Sequence, residues 1–259
     1  MTWSVFLLDE QLPLPVESLS HILQEGMGGI ALDHHHTLHI QHGWIARGVE
    51  QPVAEHLVAL LEARGHPALA KREDGLVGVE RRFVVTSGEL REDALFIQAN
   101  LAGSLRAVPW DSLAVVSIGS VPVTREKAVK AREETRGLNK AVLMTTGIPL
   151  RTKKTGLVTR FETVRDEGIL VHLVVREESA LVLEIRPARF DYHYLGDRIA
   201  GTPAENFQLF LDDLARLSGK AHWTDMSRRF LQEGILEPPF TDEKDFLRFT
   251  RWITEKTVV

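Results

Sequence analysis

The chain has 259 residues, of which 44% are hydrophobic and 26% are charged, and its formal net charge is −5. This composition is typical of a globular protein, and the lack of cysteine excludes a disulfide framework, a thiol nucleophile and a cysteine-based metal site. The sequence contains no apolar run long enough to span a bilayer and no signal-peptide pattern at its start. We therefore expect a cytoplasmic protein without a transmembrane segment.

The first 75 residues predict a small α+β domain. Apolar spacing predicts one amphipathic helix from Val16 onward, ended by glycines, and a second helix after Pro52. Strands are expected before, between and after these helices. They are placed at Trp3–Leu8, about 29–32, 37–41 and Ala68–Lys71. This βαββαβ order is the ferredoxin-like arrangement, with two helices on one face of a four-stranded antiparallel sheet.

From Arg82 the pattern changes to closely spaced strands. Hairpin turns are expected at Glu167-Gly168 and at Arg176–Ser179, because short polar and glycine-containing links join strands in this way. Seven strands are predicted, in the segments RFVVTS, ALFIQA, SLRAV, LAVVSIGSV, VTRFETV, ILVHLVV and ALVLEIR.

Helices are predicted for the rest of the chain. The first begins after Thr202, which is an expected N-cap with Pro203 at the first helical position and Glu205 completing a capping box. Two further helices are expected at about Thr224–Glu233 and Asp242–Glu255.

Seven short strands followed by one amphipathic helix, with Pro109-Trp110-Asp111 turning into a long strand, resemble the bacterial PH-like (GRAM-type) domains. The resemblance implies a seven-stranded β-barrel plugged by a helix, and a binding or scaffolding module with no catalytic residue and no cofactor. We therefore expect an α+β protein with a ferredoxin-like domain (1–78), a PH-like barrel (79–218) with a basic insertion at about 124–156, and a helical extension (219–259).

The basic segment is the clearest functional feature. Between Arg125 and Arg160 there are ten Lys or Arg and three Glu, a net +7, so the remainder of this −5 chain carries −12. Such a segment suits acidic proteins or anionic headgroups, whereas the lack of interleaved aromatic residues disfavours nucleic acid. A solvated helix with a loop is the alternative. The candidate anion-binding residues are Arg125, Lys127, Lys130, Arg132, Arg136, Arg151, Lys153 and Lys154.

A histidine cluster is the second feature, since eight of the eleven histidines lie in the first 66 residues. In a strand His36 and His42 would share one face and His39 the other, and with His34 they are candidate ligands for zinc or nickel. An exposed hairpin and a pH-responsive surface are the alternatives. The segment Asp191–Tyr194 suggests either acid–base chemistry by His193 or packing of its tyrosines.

The sequence thus favours a non-enzymatic binding, regulatory or scaffolding protein that contacts an acidic protein or an anionic headgroup through the basic insertion. A protein partner is expected first and an anionic membrane surface second, while nucleic acid is not expected. The alternative function is a metal-binding protein or an enzyme that uses the histidine-rich hairpin at 33–42.

Overall fold

The structure is a computed structural model. It describes residues 1–10, 12–98, 105–138, 151–176 and 180–258, and the side chains of 39–40, 79–80, 124–138 and 151–166 lie outside that description. The fold is mixed α+β, as expected. The chain divides into two compact units, of which the first comprises Met1–Val121 with Gly168–Val259 and the second comprises Pro122–Glu167. The domain boundaries expected at residues 78 and 218 stay a prediction.

The N-terminal part of the first unit forms a small antiparallel sheet covered by helices. Its strands are β1 (Trp3–Leu7), β2 (Trp44–Val49) and β3 (Ala68–Arg72), in the order β2-β1-β3. Its helices are α1 (Val16–Met27), α2 (Ala31–Gln41) and α3 (Gln51–Ala63). The predictions for α1 and α3 are confirmed, because both bury the apolar face that their spacing indicated.

The two short strands predicted at 29–32 and 37–41 are wrong, because helix α2 occupies this segment. The Asp33 amide donates to the Ile30 carbonyl, and Leu38 packs into the core with 0% of its surface exposed. Leu32 is 62% exposed, so the described apolar side chains of this segment show no clear period. The sheet consequently has three strands instead of four, and the βαββαβ order of the ferredoxin-like arrangement is not formed.

Two further sheets follow. A five-stranded sheet has the order β11-β8-β9-β10-β4, and a three-stranded sheet has the order β5-β6-β7. The strands are β4 (Val79–Val85), β5 (Gly88–Leu90), β6 (Ala94–Gln98), β7 (Leu105–Pro109), β8 (Leu113–Leu138), β9 (Arg151–Val175), β10 (Ala180–Ile185) and β11 (His222–Trp223). The described strands form open sheets and no closed barrel.

The hairpin predicted at Glu167-Gly168 is wrong, because strand β9 continues through both residues. Gly168 does not adopt the positive φ that a tight two-residue hairpin turn requires. Two predicted strands are therefore one. Of the turn predicted at Arg176–Ser179, only Arg176 lies within the described residues.

The three C-terminal helices are confirmed. They are α4 (Pro203–Leu217), α5 (Asp225–Glu233) and α6 (Glu243–Thr257). Thr202 caps α4 with the predicted capping box, in which its hydroxyl accepts from the Glu205 amide and the Glu205 side chain accepts in return. No helix among the described residues combines the length and the apolar character that crossing a membrane requires.

One hydrophobic core of the first unit joins both C-terminal sheets to helix α4. Apolar side chains from the five-stranded sheet, the three-stranded sheet and α4 pack in one cluster that includes Leu173, Leu95 and Phe210. The predicted turn at Pro109-Trp110-Asp111 is a single 3-10 turn that leads into β8, and it places Trp110 in this cluster.

Candidate functional site

The basic residues predicted to bind anions lie on the two strands of the second unit. Their backbone is extended, so the alternative of a basic helix is wrong for these positions. Their side chains lie outside the described residues. The residues on β8 are Arg125, Lys127, Lys130, Arg132 and Arg136, and those on β9 are Arg151, Lys153 and Lys154.

Both strands of the second unit have an outer edge without a described partner. Strand β11 pairs with β8 only at Val115 and Val116, and β10 pairs with β9 only between Val171 and Val175. No third strand among the described residues pairs with Pro122–Leu138 or Arg151–Glu167. An unpaired edge offers backbone N–H and C=O groups to an extended peptide.

The histidines predicted to bind metal do not form a hairpin. His34, His36 and His39 belong to helix α2, where His34 Nε2 donates to the Gly28 carbonyl oxygen at 2.8 Å. His42 lies beyond the helix end. Among the described residues no three His, Asp or Glu side chains are grouped to hold a metal ion. The side chain of His39 is outside the description, so its metal role stays a prediction.

His42 pairs instead with a carboxylate 203 residues further along the chain. Its Nε2 lies 2.9 Å from Asp245 Oδ1 and 3.0 Å from the Asp245 carbonyl oxygen. Both oxygens accept hydrogen bonds only, so Nε2 is the donor. In the neutral ring, Nδ1 is then the nitrogen that can accept.

Asp245 is a buried carboxylate whose oxygens are all engaged. Oδ2 accepts from the amide and the hydroxyl of Thr241 at 3.0 Å each, and Oδ1 accepts from His42 and from Arg248 at 3.1 Å. Burial alone would raise the pKa of Asp245, but the hydrogen bonds from His42 and Thr241 outweigh burial and lower it. Asp245 is therefore ionised at neutral pH and holds the His42 ring in one orientation.

This pair borders a small cavity of about 200 Å3. Its apolar walls come from two separated segments of the chain, 12–16 and 238–240, and from helix α2. The wall residues include Pro13, Leu14, Leu38, Pro238, Pro239 and Phe240.

A His–Asp pair beside a cavity can hold a ligand by a hydrogen bond or act as a general base. Thr241 has the one hydroxyl among the described residues that line the cavity, and it donates to Asp245. The sequence indicated His42 as a metal ligand and missed Asp245, because nothing local links two residues so far apart.

A second cluster, with a buried carboxylate at its centre, links β4, β9, β10 and α6. Glu184, with 0% of its surface exposed, contacts Arg186 Nε at 2.7 Å and Arg82 Nη1 at 3.0 Å. Arg186 also contacts Glu243 at 2.9 Å, so two arginines balance two glutamates. His172 faces Glu184 across the strand pair, with Nε2 and Oε2 3.8 Å apart. Burial lowers the pKa of His172, which favours the neutral ring and a balanced cluster.

A third cluster surrounds Glu10, which is 7% exposed. Its Oε1 contacts Lys256 Nζ at 2.8 Å and His222 Nε2 at 2.5 Å, and its Oε2 accepts from the Asp225 amide at 2.7 Å. Burial opposes ionisation of Glu10, but the hydrogen bonds from His222 and Lys256 prevail and lower its pKa from 4.5 to about 2.

This shift predicts a specific acid sensitivity. A depressed carboxyl pKa contributes stability that is present above pH 4.5 and is lost as the pH falls towards 2. We expect the free energy of unfolding to fall by about 3 kcal/mol more in the wild type than in Glu10→Gln over this range. Denaturant titrations at several pH values measure this difference. The control is Asp9→Asn, which removes the exposed neighbouring carboxylate and should keep the wild-type pH dependence of stability. If Glu10→Gln and the wild type show the same pH dependence, the lowered pKa of Glu10 is contradicted.

In the segment Asp191–Tyr194 the two tyrosines pack against the protein, which is one of the two interpretations given for this segment. Tyr192 is buried in the main core and donates to the Pro187 carbonyl oxygen at 3.1 Å, and Tyr194 donates to Asp213 at 3.3 Å. His193 pairs with Asp191 on the surface, where its side chain is 88% exposed. Neither residue of this exposed pair lines the cavity beside His42.

These sites have to be interpreted from the residues themselves. No protein-family model, no curated protein and no solved structure matches this chain.

Proposed function

We propose that this protein is a non-enzymatic binding or regulatory protein that takes an acidic, extended segment of a partner protein on its second unit. The observation that carries this proposal is the concentration of positive charge on one strand pair. The stretch from Arg125 to Arg160 carries +7 in a chain of net charge −5, and its described residues lie on β8 and β9 within a compact unit of their own.

The unpaired strand edges favour a protein partner over the other anionic classes. A peptide that adds to an edge gains backbone hydrogen bonds, and the basic side chains supply charge complementarity. A membrane surface would use the charge alone. Basic residues on an edge also discourage pairing with strands that lack acidic residues. An acidic partner strand is therefore the one that this edge accepts.

The PH-like interpretation is part of the same proposal. Two features support it: β4 and β5 are consecutive and belong to different sheets, and α4 packs in the core between these sheets. Domains of that kind are binding modules, although a fold alone does not determine a function.

The proposal predicts that a labelled peptide of alternating glutamate and valine binds at low salt and dissociates as salt is raised. Lys153→Glu with Lys154→Glu should weaken binding about tenfold or more, because four units of charge change at the contact. Fluorescence anisotropy measures the affinity. The matched control reverses two exposed lysines of the first unit, Lys220 and Lys244, and should change the affinity less than about twofold.

Two outcomes would contradict the proposal. One is a wild-type protein that does not bind the peptide at low salt, and the other is an equal loss of affinity in both double variants. Binding of phosphatidylserine vesicles without binding of the peptide would assign the segment to a membrane surface instead.

A further inference from the structure

We infer that the cavity beside His42 binds a small one-ring aromatic molecule that carries a single hydrogen-bond donor, such as a hydroxyl or an N–H group. This site is independent of the basic segment, and all its described residues belong to the first unit.

The size and the walls of the cavity select the aromatic ring. Its volume of about 200 Å3 exceeds the roughly 150 Å3 of an engineered apolar cavity that binds benzene. The flat faces of Pro13, Pro238 and Pro239, together with the Phe240 ring, offer apolar contact from both chain segments. One ring with a small substituent fits this space.

The polar groups at the cavity select a donor. Asp245 accepts from His42, Arg248 and Thr241, so both its oxygens already have donors. The hydroxyl of Thr241 donates its hydrogen to Asp245. His42 has no partner for Nδ1 among the described residues. With the neutral ring, the unused polar function that remains is an acceptor on an imidazole whose side chain is 10% exposed.

The backbone of His42 indicates independently that this position is constrained by function. Its φ of 52° and ψ of −126° place it in a region that residues with a Cβ rarely adopt. It is the one residue other than glycine with a positive φ among the described residues. Such outliers persist where the surrounding structure enforces them, and they concentrate at ligand sites. In this conformation His42 ends helix α2, and its hydrogen bond to Asp245 holds the imidazole at the cavity wall.

The test compares phenol with benzene, which has the same ring without the donor. We expect phenol to bind the wild type with a Kd of order 1 mM and about fivefold more tightly than benzene, as one net hydrogen bond predicts. Shifts of amide resonances during NMR titration measure both affinities. In His42→Phe the preference for phenol should disappear while benzene still binds.

A cavity-filling variant tests the location without touching the His–Asp pair. Leu14→Trp should abolish binding of both probes, because Leu14 is a partly exposed wall residue whose enlargement occupies the space. Ile235→Trp is the matched control, since Ile235 is 39% exposed and lies outside the cavity wall, and it should bind as the wild type does. If His42→Phe does not fold, Leu14→Trp and the ratio of the wild-type affinities decide. The inference is overturned if the wild type does not bind phenol, if Leu14→Trp still binds it, or if phenol and benzene bind equally.

Discussion

Replacing Glu184 by alanine is expected to destabilise the protein by about 3 kcal/mol, because the change removes the fully buried carboxylate of an ion cluster and leaves two arginines to share Glu243. Glu184 has no exposed surface, and Arg186 and Arg82 both contact its carboxylate. Without it, Arg186 would keep Glu243 alone, at 2.9 Å, and the imidazole of His172 would border an empty space.

The pKa of Glu184 agrees with this expectation. Burial raises the pKa, but His172 and the two arginines lower it to about 2, so the carboxylate is stabilised in its ionised form. Glu184→Gln keeps the shape and an acceptor oxygen but removes the charge. We expect it to cost less than the alanine variant, about 2 kcal/mol.

Urea unfolding at neutral pH measures these differences. The matched control is Glu92→Ala, because Glu92 also pairs with an arginine, Arg216, but both side chains are exposed. Its cost should stay below about 1 kcal/mol. A Glu184→Ala protein within 1 kcal/mol of the wild type would show that the cluster does not contribute to stability.

The elements that the sequence predicted correctly are those encoded by local chemistry. Helix α4 has an apolar face, a proline at its first position and a capping box, and all three lie within one short stretch. The caps of α5 and α6, Thr224 and Asp242, are equally local. Such signals act within a few residues, so no knowledge of the rest of the chain is needed.

The errors fall where packing decides the structure. Among the described side chains of helix α2, Leu38 is the buried apolar one, and the histidines and polar residues suit a helix and a strand about equally. The Glu167-Gly168 pair matches a hairpin turn, but a glycine also fits inside an extended strand, and β9 continues. In both segments, local propensity does not distinguish the two possible structures, because tertiary contacts select between them.

The sequence contains a signal for one of the buried ionic sites, the cluster of His172 and Glu184. His172 and Glu184 each stand alone as ionisable residues inside apolar strands, ILVHLVV and ALVLEIR. A lone ionisable residue in a buried strand requires a partner. Two such residues in neighbouring strands are therefore candidates to pair with each other. The pairing of His42 with Asp245 has no comparable signal, because helix α6 offers Asp245 as an ordinary first-turn acid.

Gly43→Ala should be the other severely destabilising change, and its cause is steric. A Cβ built on Gly43 would lie 1.8 Å from Cε2 and 2.2 Å from Cζ2 of Trp252. The indole cannot move away easily, since it is fully buried and its Nε1 donates to the Leu7 carbonyl oxygen at 2.9 Å. We expect a loss of about 3 kcal/mol and roughly 10 °C in Tm.

A double-mutant cycle separates this overlap from any effect on the backbone. In a Trp252→Leu background the indole is absent, so Gly43→Ala should cost less than about 1 kcal/mol, and the added methyl group fills part of the cavity left by the indole. Gly219→Ala is the control for the loss of a glycine, because nothing lies within 4 Å of its Cβ position. If Gly43→Ala costs the same in both backgrounds, the close approach of Trp252 is not what requires glycine at position 43.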